Sequence, residues 1–291
     1  MTPVRSAFVL LRPAHWVKNV FVLAGIFFAG ALFKAQLLGH VALAFAAFCL
    51  ASSAAYAFND ALDSEADGKH PRKRLRPVAS GTVSAPAALA LAALCGLGSL
   101  GLACLVGTRL FVLIGCYGAI NVAYSRWLKH VVLIDVFCIA SGFSLRLLAG
   151  TWGIGIPPSQ WFVLCAFLLS LFLGFSKRYA ERMDDTQDPE ARRAVVEEYS
   201  PEFLRTLLSV TLACTLIAYG LYTLSPQTLE VHGTKGLIYT LPVAALVMFR
   251  YLYLVMERGF GENLASEFLR DRPLIAGIAL YAALTGALLI K

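Results

Sequence analysis

The sequence predicts an all-α, polytopic membrane protein with nine transmembrane helices and a cytoplasmic N-terminus. Hydrophobic residues make up 58% of its 291 residues and charged residues only 15%, which is not the balance of a soluble domain. Since about 20 mainly apolar residues cross the hydrocarbon core as a helix, long charge-free runs are candidate spans. The runs without Asp, Glu, Lys or Arg are Leu37–Phe58, Pro77–Thr108, Leu147–Ser176, Thr206–Leu229 and Pro273–Ile290.

Helix-breaking residues set the limits of the predicted spans. Pro77–Thr108 is too long for one span, and Pro86 suits the first turn of a helix, so the third span is predicted to start there. The segment "GIGIPPS" (153–159) divides Leu147–Ser176, because its Gly and Pro residues disfavour a helix. The nine predicted spans cover residues 16–33, 37–58, 86–106, 109–125, 131–151, 159–176, 204–225, 236–256 and 273–290.

The distribution of charge orients the chain. With a cytoplasmic N-terminus, 20 of the 25 Lys and Arg residues and 16 of the 18 acids fall on one side of the nine spans. Cytoplasmic loops of membrane proteins carry such an excess of Lys and Arg. We therefore expect one transmembrane domain over 1–291, with cytoplasmic loops at 59–85 and 177–203. The formal charge of +7 follows from this asymmetry, so no nucleic-acid partner is expected.

Acidic residues follow the second span in "FNDALDSEADGKHPRKRLRPVASG" (58–81). On a continuous helix, Asp60, Asp63 and Asp67 lie within about 60° of one another, and Asn59 widens the arc to about 100°. Carboxylates so close repel one another, and a divalent cation relieves that repulsion. Mg²⁺ usually binds one or two carboxylates together with waters and substrate phosphates. The stripe predicts catalytic, Mg²⁺-binding aspartates at a diphosphate site; the alternative is a solvated helix end with ordinary loop charges.

Several segments carry a family resemblance. "NDALDSEAD" (59–67) followed by "RPVASG" (76–81) resembles the first aspartate motif of the UbiA superfamily of intramembrane prenyltransferases. Four further segments resemble one branch of that superfamily, the decaprenyl-phosphate phosphoribosyltransferases. They are "RPAHWVKN" (12–19), "YSRWLKH" (124–130), "LIDVFCIASGFSLRLLAG" (133–150) and "GFSKRYAE" (174–181). The resemblance implies a UbiA-like helical bundle in the bacterial cytoplasmic (inner) membrane, with its active site facing the cytoplasm.

The residues at the position of the second acidic motif differ from the superfamily pattern. Ordinary members carry DxxxD after the sixth span, where this chain has "KRYAERMDD" (177–185). Glu181 and Asp185 match that pattern imperfectly, which leaves a second metal open. Lys177 and Arg178 suit substrates with more phosphates, such as phosphoribosyl diphosphate and a lipid phosphate. Anchoring to the cytoplasmic surface is the alternative for these two cations.

The resemblance implies transfer of 5-phosphoribosyl from phosphoribosyl diphosphate to polyprenyl (decaprenyl) phosphate. The reaction would need Mg²⁺, release diphosphate and invert ribose C1. The expected substrate-binding residues are Lys18, Asn19, Asn59, Arg72, Arg74, Arg76, Tyr124, Lys129, Lys177, Arg178 and Glu181. Binding of anionic lipid is an equal alternative for the basic loop at 72–76. Asp135 and Arg146 lie three turns apart in the fifth span and each need a partner; Arg146 is interpreted as structural.

Two other functions compete with this interpretation. A conventional prenyltransferase, moving an isoprenoid from a prenyl diphosphate to an aromatic acceptor, shares the fold, Mg²⁺ and the first motif. A transporter is less favoured, because the charges cluster at one membrane surface instead of the midplane. A homo-oligomer such as a trimer is compatible with the sequence.

Overall fold

The computed structural model describes residues 3–29, 31, 34–69, 73–184, 194–261 and 270–289, and the regular structure in these ranges is helical. The chain forms two compact units. The N-terminal unit comprises Met1–Cys138 and Leu145–Pro157, and the C-terminal unit comprises Ile139–Ser144 and Pro158–Lys291. The all-helical prediction is therefore confirmed for the described residues.

Helices of up to 28 residues build the N-terminal unit. They are α1 (Pro3–Leu11), α2 (Val20–Phe28), α3 (Ala35–Leu62), α4 (Ser64–Lys69), α5 (Ala85–Val106), α6 (Thr108–Arg126) and both ends of α7 (Ile134–Ala149). The middle of α7, Ile139–Ser144, belongs to the C-terminal unit. Helix α3 packs against both α5 and α6. Helix α5 starts one residue before Pro86, and the Ser84 hydroxyl caps it by accepting a hydrogen bond from the Ala87 amide, as Ser often does at this position.

The first crossing is a broken helix. Arg12 separates α1 from a 3₁₀ turn at Pro13–Asn19, and its φ of 50° lies in the left-handed region. Such a conformation costs a non-glycine residue about 1–2 kcal/mol. The apolar segment runs over Ser6–Phe28, so the predicted span at 16–33 starts and ends too late. The polar residues around the break interrupt the apolar run and hide its true start.

Helices α2 and α7 cross in direct backbone contact. A Cβ atom on Gly150 would lie 1.8 Å from the Val22 carbonyl oxygen, and one on Gly25 would lie 2.7 Å from the Leu147 carbonyl oxygen. Small residues allow helices to approach this closely within a membrane. This crossing fixes the end of α7 beside the 3₁₀ turn at Pro13–Asn19.

The C-terminal unit is also helical. Its helices are α8 (Gln160–Met183), α9 (Ala194–Glu197), α10 (Pro201–Leu224), α11 (Pro226–His232), α12 (Leu241–Arg258) and α13 (Arg272–Leu289). Helix α8 packs on α10, and α12 packs on α13. Asp271 caps α13 by accepting from the Leu274 amide at 2.9 Å, and the Arg250 guanidinium that donates to it lowers the pKa of this carboxyl group.

Eight of the described segments are long and apolar enough to cross a membrane. The spans predicted in second, third and fifth to ninth place each coincide with one of them to within a few residues, except that α3 and α8 extend further at their C-terminal ends. The predicted break at 153–159 is confirmed, since a 3₁₀ turn and Gly155, with φ of 94°, precede α8. The fourth predicted span corresponds to α6, which is 19 residues long but is not among the eight because Arg109, Asn121 and Arg126 make it more polar.

Candidate active site

The acidic stripe lies where α3 gives way to α4. Helix α3 ends at Leu62 and α4 begins at Ser64, so the helix predicted to continue through all three aspartates is interrupted at Asp63. Backbone hydrogen bonds nevertheless keep the i to i+4 pattern across the break. The Asp63 amide donates to the Asn59 carbonyl at 2.9 Å, and the Asp67 amide donates to the Asp63 carbonyl at 2.8 Å. This continuity preserves the helical spacing of the stripe.

Two arginines from other segments hold Asp60 and Asp67. Arg12 donates from Nη2 to Asp60 Oδ1 at 2.6 Å. Arg76 donates from Nη1 to the same Asp60 oxygen at 3.2 Å and to Asp67 Oδ2 at 2.6 Å. Only 2% of the Asp60 side chain is exposed. The guanidinium of Arg76 thus bridges two of the three predicted catalytic carboxylates.

Asp63 has different partners. Lys129 donates from Nζ to Asp63 Oδ1 at 2.5 Å, and Asn59 donates from Nδ2 to Asp63 Oδ2 at 3.0 Å. Lys129 lies in the 3₁₀ turn Leu128–His130 that follows α6. The N-terminal unit therefore brings six predicted site residues into one network, which comprises Asn59, Asp60, Asp63, Asp67, Arg76 and Lys129.

The network is balanced in charge, yet one buried oxygen has no partner. The ion pairs join three aspartates to Arg12, Arg76 and Lys129, so their formal charges cancel. Asp60 Oδ2 is buried without a hydrogen-bond partner, which is costly for a carboxylate oxygen. In the described ranges no three His, Cys, Asp or Glu side chains converge as a metal cluster. A cation bound here would take few protein ligands.

Arg12 was absent from the predicted substrate-binding residues. Its guanidinium lies 5.0 Å from the centre of the Tyr56 ring, one helical turn before Asp60, and His15 packs edge-on against the same ring at 5.2 Å. The left-handed break at Arg12 allows its side chain to reach α3. The only signal in the sequence was the presence of Arg12 in the family-like segment "RPAHWVKN", since spacing along the chain cannot identify a partner 48 residues away.

A buried polar cluster lies deeper in the same unit. Arg146 donates from Nε to Asn19 Oδ1 at 2.7 Å and from Nη2 to the Tyr117 hydroxyl at 2.9 Å. Asn19 is fully buried and donates to Ser52 Oγ at 3.4 Å. The contacts of Arg146 accord with its structural interpretation. A substrate contact of Asn19 stays a prediction.

The other predicted residues of this unit are placed separately. The side chains of Lys18 and Arg74 are exposed, and Tyr124 is half-buried near the end of α6. Asp135 is fully buried in the first turn of α7. Arg72 lies outside the described residues.

The second charged motif belongs to α8 in the C-terminal unit. Arg178 pairs with Glu181 three residues later, and only 1% of its side chain is exposed. Lys177 Nζ lies 3.7 Å from Glu181 Oε1, with 43% of the lysine side chain exposed. Glu181 therefore forms ion pairs with both predicted phosphate-binding residues. Asp185, the other residue of the imperfect acidic match, lies outside the described residues.

Comparison with known proteins identifies the family. The model of the UbiA prenyltransferase family matches residues 19–268. The decaprenyl-phosphate phosphoribosyltransferase of Corynebacterium glutamicum is 40% identical over 216 residues, which are 73% of this chain and 65% of that protein. The protein of the same name from Mycolicibacterium smegmatis is 34% identical over 91% of this chain and 86% of its own length.

A solved structure shares the fold. The UbiA homolog from Archaeoglobus fulgidus bound to GPP and Mg²⁺ superposes with a TM-score of 0.74, covering 98% of this chain and 100% of that one at 21% identity. The aspartate stripe, the helical architecture and the match over most of the sequence agree with one another. The chain belongs to the UbiA prenyltransferase family.

Proposed function

We propose that this protein transfers the 5-phosphoribosyl group from phosphoribosyl diphosphate to a polyprenyl phosphate and releases diphosphate. The supporting observation is the buried, arginine-held Asp60 with one unpartnered oxygen, in a chain 34–40% identical to enzymes of this name over most of its length. The acceptor class is that of those enzymes, a decaprenyl phosphate. The reaction is the transfer of a phosphoribosyl group to a lipid at the membrane surface.

The residues present fit a Mg²⁺ ion. A cation at Asp60 Oδ2 would supply the partner that this buried oxygen lacks. Because no three acidic side chains of the described residues converge, substrate phosphate and water would complete its ligands, and metal binding by Asp63 and Asp67 stays a prediction. Because the carboxylates are already neutralised by three basic side chains, a diphosphate arriving at the stripe brings uncompensated negative charge. When bound, Mg²⁺ would neutralise this charge and stabilise diphosphate as a leaving group.

The side chains of the N-terminal unit position the donor. Arg76, which is 26% exposed, can exchange a carboxylate for a phosphate oxygen because its planar guanidinium binds both in the same way. Lys129 and Asn59 keep Asp63 oriented. The phosphate of the acceptor is already anionic, so its attack on ribose C1 needs no strong general base. Attack opposite the departing diphosphate inverts that carbon.

We propose that Lys177 and Arg178, which lie on α8 in the C-terminal unit, bind substrate phosphate. Glu181 orients Arg178 through their ion pair and also pairs with the neighbouring Lys177. A buried arginine is costly without such a partner. Binding of phosphate by this pair would explain why the chain has basic residues where ordinary members have an acidic motif.

We also propose nine crossings with the N-terminus and the aspartate stripe in the cytoplasm. The additional crossing is α6, whose 19 residues span about 28 Å at 1.5 Å per residue. That length is close to the ~30 Å hydrocarbon thickness. The excess of Lys and Arg on the stripe side supports this orientation in a bacterial cytoplasmic membrane.

Transfer of label tests the activity. The purified chain in vesicles would receive phosphoribosyl diphosphate labelled in the ribose, polyprenyl phosphate and Mg²⁺. We expect an acid-labile labelled lipid that forms only with both substrates and the metal. No labelled lipid, together with transfer from a prenyl diphosphate to an aromatic acceptor, would show a conventional prenyltransferase instead.

A further inference from the structure

An apolar groove lies in the N-terminal unit between α3, α5 and α6. Its volume is about 460 Å³, which is within the size range of ligand sites. Its walls are mainly Ala, Gly and Leu residues. The polar side chains that line it, Ser99 and Asn121, donate to backbone carbonyls, at 2.8 Å in both cases. The wall is therefore suited to a hydrocarbon chain.

The groove is separate from the candidate active site. Ala51, Ala54, Ala55 and Phe58 form its α3 wall. At 100° per residue, Asp60 projects about 170° away from the middle of this wall. A lipid in the groove would therefore lie on the opposite face of α3 from the aspartate stripe, and the acceptor phosphate could not reach the stripe from there.

The groove has the depth of one leaflet. Its α5 wall extends from Leu89 to Leu100, about 16 Å at 1.5 Å per residue. Half of a ~30 Å hydrocarbon core is about 15 Å. The groove thus matches one acyl chain that enters from the membrane surface nearest the stripe.

A basic residue marks the end of the groove at that surface. The Arg126 guanidinium lies 5.9 Å from the centre of the Phe58 ring, which lines the groove. Arg126 follows Val122, another lining residue, by one helical turn. The neighbouring Trp127 is 61% exposed, as tryptophans at the membrane interface often are. An apolar groove that ends at a cation is complementary to an anionic lipid.

We propose that this groove binds one acyl chain of an anionic phospholipid whose phosphate contacts Arg126. The site is additional to the catalytic one and does not depend on the transferase activity; it depends only on the membrane orientation proposed above. A single basic residue near the surface contributes about 1 kcal/mol of attraction to anionic lipid. This corresponds to about fivefold preference for an anionic over a zwitterionic headgroup.

Glycines in the groove provide the test. A Cβ atom on Gly96 or Gly118 meets no atom within 4 Å, so Gly96→Leu and Gly118→Leu would fill the groove without steric conflict. Gly101 on α5 is equally open but does not line the groove, which makes Gly101→Leu the matched control. All three substitutions raise helix propensity alike, and thermal unfolding in detergent would check their folding.

Native mass spectrometry of the full chain in mild detergent would measure bound phosphatidylglycerol and phosphatidylcholine. We expect the wild type and Gly101→Leu to retain one phosphatidylglycerol that Gly96→Leu and Gly118→Leu lose. Arg126→Gln should keep lipid binding while its preference for phosphatidylglycerol falls from about fivefold to about onefold.

Three results would overturn the proposal. The groove variants could retain as much phosphatidylglycerol as Gly101→Leu. They could change the ratio of oligomer to monomer with lipid unchanged, which would make this face a contact between copies of the chain. Polyprenyl phosphate could displace phosphatidylglycerol mole for mole, which would assign the groove to the acceptor.

Discussion

The two charged motifs differ in how their ion pairs are built. In the N-terminal unit, Asp60 pairs with Arg12, 48 residues away, and Asp63 pairs with Lys129, 66 residues away. In the C-terminal unit, the pairs of Glu181 join residues three and four apart on one helix. The first site is assembled by tertiary structure, whereas the second follows from helical spacing alone.

Because of this difference, substitutions in the two motifs are expected to affect stability and activity to different extents. Breaking a buried ion pair costs about 3–5 kcal/mol, because one charge remains without compensation. Pairs four residues apart on an exposed helix face contribute about 0.3–0.5 kcal/mol. The N-terminal site should therefore be sensitive to single substitutions in both stability and activity, and the Lys177–Glu181 pair should affect stability little.

The largest expected effect follows from replacing Asp60 by Asn. This substitution keeps the shape of the side chain but removes the charge of the unpartnered oxygen, so phosphoribosyl transfer should fall about 10²–10³-fold, as on loss of a major electrostatic contact. Initial rates in vesicles would measure it. Glu65→Gln is the control, because Glu65 is an exposed acid in α4, and it should stay close to wild type. Equal rates for both variants would show that Asp60 is not part of the active site.

Substitution of Arg12 by Gln should be next in size. It leaves Asp60 with Arg76, and 21% of the Arg12 side chain is exposed, so the loss of stability should be about 1–3 kcal/mol, below that of a fully buried pair. Unfolding in detergent would measure it. The exposed Arg74 provides the control: Arg74→Gln should change stability by no more than about 0.5 kcal/mol. Similar losses for both variants would contradict a supporting role of Arg12.

Double-mutant cycles would compare the motifs directly. The Lys129–Asp63 pair, with 11% and 24% of its side chains exposed, should show a coupling free energy of about 1–2 kcal/mol. The Lys177–Glu181 pair should show about 0.3–0.5 kcal/mol. The four proteins of each cycle would be unfolded under the same conditions. If the coupling within α8 were the larger, the distinction between tertiary and local pairs would be wrong.

The smallest effect on stability from a single substitution is expected at Asp271. This residue pairs near the surface with Arg250, from which it is 21 residues away in the sequence. The Arg250 guanidinium lowers its pKa below the ordinary value near 3.8, so its contribution is full above that value and is lost as the pH falls through the lowered one. Asp271→Asn should reduce stability by less than about 1 kcal/mol at pH 7. The unfolding temperatures of Asp271→Asn and the wild type should approach each other as the pH falls from 7 to below the ordinary pKa of an aspartate. A difference that grows with falling pH would contradict this titration.

Much of the helical arrangement is encoded in local sequence. Charge-free runs and the Gly and Pro breakers at 153–159 and Pro86 predict most span limits to within a few residues. The first crossing was misplaced because Arg12, His15 and Lys18 interrupt its apolar character. These residues lie at or just after the left-handed break at Arg12, and hydropathy does not detect a left-handed residue.

The candidate site was only partly predictable for the same reason. Helical spacing placed Asp60, Asp63 and Asp67 together, and the backbone hydrogen bonds across Asp63 preserve that spacing. The pairing of Arg12 with Asp60 depends on the crossing of separate helices, for which no local pattern exists. Likewise, Asn19 and Arg146 are 127 residues apart and meet through the glycine contact of α2 with α7.

Binding of phosphoribosyl diphosphate tests the central claim most directly. Titration calorimetry would compare wild type and Asp60→Asn in detergent, each with Mg²⁺ and with a chelator. We predict that the wild type binds the donor only with Mg²⁺ and that Asp60→Asn loses most of this metal-dependent affinity. Equal affinity in all four titrations would contradict a metal–diphosphate site at the end of α3.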